Sequence, residues 1–255
     1  MVFNKFDISG RTALVSGGGR GIGFACAEAL MESGCDVGIF DLLVPIKDTK
    51  ELEAKYSVKV RNYIVDVSDQ QSLETAFQKF VQDFEGKIDI CVPCAGINEN
   101  IEFLETSYDK FNRLCNVNFR GSYFTAQLAA KQMIKNGTKK GSIVFICSMG
   151  SYIAIRSQRS SAYCGTKGAV RSMVAPISAE LQKYGIRANS LSPGYVRTEM
   201  TAGFPELIEE WKDVCMNKKV ANPEDMLGTC VFLASDASSY MSGEDIIVDA
   251  GVTKW

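Results

Sequence analysis

Short apolar runs recur along the chain, each followed by a stretch whose apolar residues lie three or four apart. Residues 12–16 (TALVS) are the first run and predict a strand, closed by the glycines that follow. Residues 20–33 then repeat apolar positions at Ile22, Ala25, Cys26, Ala29 and Leu30, the period of a helix buried along one face. Six more strands are expected at 37–40, 58–65, 88–92, 143–147, 187–191 and 246–248, with helical stretches between them. Strands alternating with helices predict a parallel sheet covered on both faces. The expected fold is therefore α/β, a single doubly wound Rossmann domain over 1–255 with a seven-stranded parallel sheet.

Two segments break this rhythm. Pro176 lies in the helical stretch after Lys167, where its missing N–H and its ring predict a kink or an interruption. Residues 198–222 have no clear period and contain Gly203, Pro205 and Trp211. Long aperiodic segments after a strand's C-terminal end lie where ligands bind in open sheets, so a substrate lid is expected there. A plain pair of surface helices is the other reading.

Composition narrows the chemistry. A net charge of −2 and a pI near 5.4 give no electrostatic footprint for phosphate backbones or anionic lipid, so neither nucleic acid nor membrane is an expected partner. The opening MVFNKFDISGRT has no charged stretch leading into an apolar run, and the expected location is cytoplasmic. The nine cysteines are odd in number and often lie in apolar runs, which reads as free, mostly buried thiols. Cys91 and Cys94 form a C-x-x-C, a redox or metal pair in one reading and core packing in the other; with no second pair nearby, packing is favoured. The chain has no histidine, which excludes a Ser/His/Asp triad and every His-ligated metal site; no metal is expected.

Directly after the first strand comes Ser16-Gly17-Gly18-Gly19-Arg20-Gly21-Ile22-Gly23, opening a helix. Glycines there let the backbone approach a pyrophosphate, and the helix N-terminus presents unpaired N–H groups to its charge. Strand, glycine turn and helix together are the context that a dinucleotide fingerprint requires. Asp41, at the end of the second strand, is placed to accept bonds from the adenosine ribose hydroxyls and to repel a 2′-phosphate, which argues for NAD. Arg20 pulls toward NADP, since a cation in the loop suits that phosphate. The carboxylate is the stronger influence, so NAD is expected and NADP remains open. Asp66 in VDVSD is either a cap on the adenine side or a turn aspartate.

Tyr163 and Lys167 are four apart in a helical stretch, on one face. A phenol ordinarily titrates near pH ~10, and a neighbouring cation favours the phenolate, so Tyr163 can serve as general acid/base without histidine. Ser148 ends the fifth strand at the same sheet edge, where its hydroxyl could hold the substrate oxygen; a turn cap is the alternative.

The glycine loop, Asp66, Asn118, Ser148, Tyr163, Lys167 and Pro193-Gly194 together resemble the classical short-chain dehydrogenase/reductase family, over about residues 10–251. The resemblance implies that Asn118 binds a water in a proton relay, Ser148 orients the substrate, Tyr163 transfers the proton and Lys167 also holds the nicotinamide ribose. It implies cofactor contacts from Gly17, Gly19, Arg20, Gly21, Ile22 and Gly23, then from Asp41, Asp66 and Val67. It implies others from Ala95 and Gly96, from Tyr163 and Lys167, and from Pro193, Gly194, Val196 and Thr198 beside the nicotinamide, and it implies a homotetramer. The family's Asn-Asn-Ala-Gly is here Pro93-Cys94-Ala95-Gly96, which loses an asparagine that steadies the central strands and predicts slackness there.

The run Leu191-Ser192-Pro193-Gly194-Tyr195 and the C-terminal Trp255 are similar to the polyol and ketose dehydrogenases of this family. The expected function is hydride transfer between a nicotinamide cofactor and a small secondary alcohol or ketone, a sugar alcohol or ketose, with Asn98, Glu99, Ser151, Arg156 and Gln158 as candidate polar lining. Reduction of 3-oxoacyl groups on a carrier protein with NADPH is an alternative, with Lys139-Lys140 or Arg156 and Arg159 as its docking patch. A non-catalytic dinucleotide sensor is a third, from another class.

Overall fold

The computed structural model describes residues 2–202 and 205–255. Seven strands, β1 (Thr12–Ser16), β2 (Asp36–Asp41), β3 (Val60–Ile64), β4 (Ile90–Pro93), β5 (Gly141–Ile146), β6 (Ile186–Pro193) and β7 (Asp245–Val248), form one sheet in the order 3-2-1-4-5-6-7. Every pairing is parallel. The helices are α1 (Gly21–Glu32), α2 (Thr49–Tyr56), α3 (Gln70–Asp83), α4 (Tyr108–Leu114), α5 (Ser122–Lys135), α6 (Ser161–Leu181), α7 (Leu207–Val214) and α8 (Leu227–Ala234). The expected single doubly wound domain with seven parallel strands is what forms.

Strand residues alternate between two cores. Ala13 and Val15 of β1 face one cluster, packed by Leu30 of α1 and Leu233 of α8; Leu14 between them faces the other, packed by Phe80 of α3, Ala129 of α5 and Val170 of α6. Burial on both faces is why these strands read as continuous apolar runs. Gly38 in β2 admits the Phe80 ring, whose nearest atom lies 2.5 Å from where a Cβ would sit. Side chains set the helix starts: Asp48 accepts from Lys50 N ahead of α2, Asp69 from Ser72 N ahead of α3 and Ser107 from Lys110 N ahead of α4.

Strand order reverses between β1 and β4, and this opens a crevice beyond their C-terminal ends. Pairing of β4 with β5 is confined to Ile90↔Ser142 and Cys91↔Ile143, against six residue pairs between β5 and β6. Pro93 has no N–H to continue the ladder, which accounts for the short pairing. At Pro176, of the two outcomes expected, the interruption does not occur, because α6 runs on to Leu181. Pro176 and Ser172, whose carbonyl loses its helical partner, are both exposed, so water can take the bond. The aperiodic segment 198–222 contains α7, and Trp211 within it is fully buried. Gly203, one of the breaks expected there, lies outside the described residues.

Candidate active site

The crevice is a cleft of about 650 Å³ along the C-terminal ends of the strands. Its inner end is made largely of backbone. Gly17 has φ 65°, a conformation that favours glycine, and a Cβ there would lie 2.6 Å from Ala95 Cα. A Cβ at Gly23 would lie 2.0 Å from the carbonyl oxygen of Gly17, so α1 can start this close to the loop only with glycine. The residue preceding α1, Arg20, caps it with no side-chain bond, and the first turn carries no acid. The open positive end of a twelve-residue helix, set on a glycine cradle, fits a pyrophosphate.

Asp41 ends β2 beside this cradle. Its Oδ2 accepts from Gly19 N at 2.9 Å and its Oδ1 from Leu43 N at 3.0 Å, which fixes the carboxylate against both loops. Leu42 and Leu43 line the cleft while largely exposed, and Val65 and Val67 line it as well, an apolar slot suited to a planar base. Asp66 lines the slot and also closes a turn, since its Oδ1 accepts from Ser68 N and Ser68 Oγ. The turn reading of Asp66 is what these bonds describe, and its place on the cleft wall is compatible with the other. Arg20 reaches the cleft with its Nε buried and unpartnered among the described residues.

At the outer end, Ser148, Tyr163 and Lys167 are buried on one wall. Lys167 Nζ donates to Ile146 O at 2.7 Å, which anchors the ammonium to the end of β5. Ser148 Oγ accepts from Gly150 N at 3.0 Å, so it caps a turn while its own proton stays available to the cleft. Asn118 sits in a π-helical turn, Cys115–Gly121, between α4 and α5, a distortion frequent at functional sites. It is fully buried and off the cleft wall: Oδ1 accepts from Ile97 N at 2.8 Å, while Nδ2 donates to Ile97 O at 2.9 Å and Thr166 Oγ1 at 3.0 Å. Its link to the cleft is Gly96, where a side chain would start 3.4 Å from Asn118 Oδ1 and 3.5 Å from Lys167 Nζ.

Of the sequence candidates, Gly17, Arg20, Gly21, Ile22, Gly23, Asp41, Asp66 and Val67 line the cleft, as do Ala95, Gly96, Pro193, Gly194, Val196 and Thr198. Gly19 does not; it lies behind Asp41, where a Cβ would come within 2.8 Å of Oδ2. Asn98 and Gln158 line the substrate end, whereas Glu99, Ser151 and Arg156 do not. Sequence reasoning missed Arg113, Met149 and Ile155, which line it from α4 and the segment after β5. Trp211 stacks on Tyr195, ring centroids 4.8 Å apart and planes at 13°, so α7 rests on the cleft wall.

Other groups on the wall are poor proton exchangers. Burial pushes the Tyr195 phenol up to about 12, and the Cys94 and Cys147 thiols likewise to about 12. Burial raises the Cys91 thiol too, and the structure records all nine cysteines as free, in line with core packing rather than a redox pair. Among the described residues no cluster of acids and cysteines fits a metal, and no helix is long and apolar enough to cross a membrane.

Comparison with known proteins agrees with this geometry. A family model described as enoyl-(acyl carrier protein) reductase matches residues 17–253. The sorbose reductase sou1 of Schizosaccharomyces pombe is 32% identical over 97% of this chain and 98% of its own. A short-chain type dehydrogenase/reductase from Mycobacterium marinum superposes with a TM-score of 0.91 at 32% identity, covering 99% of both chains. A gluconate 5-dehydrogenase from Burkholderia cenocepacia, solved with NADP and tartrate, superposes with a TM-score of 0.90 at 30% identity over 100% of both. With this cradle, this wall and these relatives, the chain belongs to the short-chain dehydrogenase/reductase family, in the branch of NAD(P)-dependent enzymes that exchange a hydride with a secondary alcohol or ketone.

Proposed function

We propose that the protein is a NAD-preferring dehydrogenase of sugar alcohols and their ketoses, with Tyr163 as its acid/base. The observation that carries this reading is the wall where Ser148, Tyr163 and Lys167 meet at the end of β5, with the ammonium held on Ile146 O. A nicotinamide bound in the cleft supplies the hydride acceptor or donor; the chain's own groups position the substrate and move the proton. Ser148, its oxygen engaged by Gly150 N–H, donates to the substrate oxygen. Tyr163 takes the hydroxyl proton during oxidation and returns it during reduction. Lys167 keeps a positive charge beside the phenol, and the relay that the resemblance assigns to Asn118 runs through the space that Gly96 leaves open between Asn118 Oδ1 and Lys167 Nζ.

NAD preference rests on Asp41, whose carboxylate is pinned by two backbone N–H groups and so cannot turn away from a 2′-phosphate. We further propose that 198–222 is a lid hinged on the Trp211–Tyr195 stack, and that the protein is a cytoplasmic homotetramer. The test of activity is nicotinamide absorbance with NAD or NADP and a panel of pentitols and hexitols, with an acetoacetyl thioester supplied in the reducing direction. NADH formation that depends on a polyol is expected; activity confined to NADPH and the thioester would overturn the reading. Light scattering of the purified protein checks the oligomer.

The description carried by the matching family model favours acyl carrier protein chemistry as a second reading. Its docking patch is partly matched: Lys140 is paired with Asp236, which also binds Arg11, and Arg159 with Glu102 at 3.3 Å, while Lys139 and Arg156 are exposed with no acid partner among the described residues.

A further inference from the structure

The reading as a sugar-alcohol enzyme leaves open the charge of the substrate, and the relatives divide on it. The sorbose reductase is named for an uncharged ketose and the gluconate 5-dehydrogenase for a sugar acid. A sugar acid carries a carboxylate, and a site that binds it gains from a cation with no other partner. A neutral polyol needs only hydroxyl partners.

Among the described residues, the cations on the cleft wall are Arg20, Lys167 and Arg113. Arg20 belongs to the glycine loop, and Lys167 is bound to Ile146 O. Arg113, on α4, is the cation of the substrate end, and its Nη1 lies 3.2 Å from Glu99 Oε1. Glu99 is held on the chain segment after β4, which is pinned in turn to the segment after β5. Arg159 N donates to Asn100 Oδ1 at 2.6 Å, and Ile101 N donates to Arg159 O at 2.9 Å. Off the cleft wall, Arg159 is likewise matched by an acid of the same segment, Glu102, while Arg156 is exposed without an acid partner among the described residues and does not line the cleft.

What the wall does offer is unpaired hydrogen-bonding capacity of the neutral kind. Asn98 donates to Gln158 Oε1 at 3.4 Å, and its own Oδ1 is buried with no partner. A substrate hydroxyl can donate to that oxygen, in a polyol and in a sugar acid alike, so Asn98 serves the hydroxylated chain and the discrimination by charge falls to Arg113 and Glu99.

We infer that the substrate end selects uncharged polyols and ketoses over sugar acids, and that Glu99 sets this preference as a positioning residue, by neutralising Arg113 and holding it. The inference rests on the reading as a sugar-alcohol dehydrogenase. Asn98 is the polar contact for a substrate hydroxyl, while the preference itself is carried by the Arg113–Glu99 pair.

The test compares kcat/KM for mannitol, sorbitol and arabinitol with that for gluconate, in NAD and in NADP. The wild-type protein is expected to favour a neutral polyol. Glu99→Gln is expected to lower the polyol-to-gluconate ratio by about two- to fivefold, the scale of a partly exposed ion pair. Its effect should shrink as salt is raised. Glu99→Asp should keep the wild-type ratio, and the double variant Glu99→Gln/Arg113→Gln should restore it, which a merely structural role for Glu99 would not do. Wild-type preference for gluconate overturns the inference, and needs no variant that folds. So does an unchanged ratio in a Glu99→Gln protein with the wild-type melting temperature. Turnover of neither class with either nucleotide removes the parent reading, and this inference with it, an outcome distinct from turnover of the acid alone.

Discussion

At the nucleotide end of the cleft the protein presents main chain, while at the substrate end it presents side chains. The first is built from Ser16 to Gly23 and the tip of β2, with Gly17, Gly19 and Gly23 packed so tightly that no Cβ fits at any of them. The second collects Asn98, Arg113, Met149, Ile155, Gln158 and Tyr195 from four separate parts of the chain. A main-chain surface offers its N–H groups to any dinucleotide and has little freedom to vary. A side-chain surface can be retuned one residue at a time, which is how one family serves many alcohols.

The sharpest way to separate the two ends is Tyr163→Phe. It should lower kcat by about 10²–10⁴, the range for loss of a general acid/base, while calorimetry finds the nucleotide affinity unchanged. Wild-type turnover would remove Tyr163 from the chemistry. Gly23→Ala should do the reverse, because a Cβ 2.0 Å from the Gly17 carbonyl must push the loop away from α1. A weakening of nucleotide binding by about 1–3 kcal/mol is expected, the cost of such overpacking, and affinity equal to wild type would mean that the cradle is softer than its geometry. Asp41→Ala acts within the nucleotide end alone. It should move the kcat/KM preference toward NADP by about tenfold, the size of one charge–charge contact partly screened by water; an unaltered ratio assigns selectivity to Arg20. The smallest effect concerns Cys94, at the seam of the two ends. With its thiol pushed up to about 12 by burial, thiolate is scarce until the pH approaches that value. Iodoacetamide at pH ~8 should therefore leave Cys94 of the native protein unmodified in a peptide mass map; rapid labelling would revive the redox reading of Cys91 and Cys94.

The same contrast explains what could be read from the sequence. The sheet and the glycine cradle depend on contiguous residues, and β1 falls where its apolar run ends. The edges of β4 and β6 moved by a residue or more, because Pro93 and Pro193 each end a strand in register, opposite Ser16 and Val248, with the ladder bond donated by the next residue, Cys94 N to Ser16 O and Gly194 N to Val248 O, a role that proline's reputation as a breaker conceals. The apolar residues of α7, Leu207, Ile208, Trp211 and Val214, do keep a helical spacing, but the run is only eight residues long and follows Gly203 and Pro205, so the segment reads as aperiodic as a whole. Asn118 could be picked out by resemblance but not its setting. The π-helical turn that buries it depends on close packing of Gly121 against Val67, residues far apart in the chain. Arg113 and Ile155 gave no local signal, since they join the site only through the way α4 and the segment after β5 are folded back.

The chain has two tryptophans, and they occupy opposite environments. Trp211 is fully enclosed against Tyr195, while Trp255 is 81% exposed, its indole N–H donating to Val214 O. The first should therefore emit at short wavelength and the second at long. Because the buried indole belongs to α7 and touches the cleft wall, the protein carries its own optical gauge: a red shift of the blue component would register α7 lifting away, with no label attached.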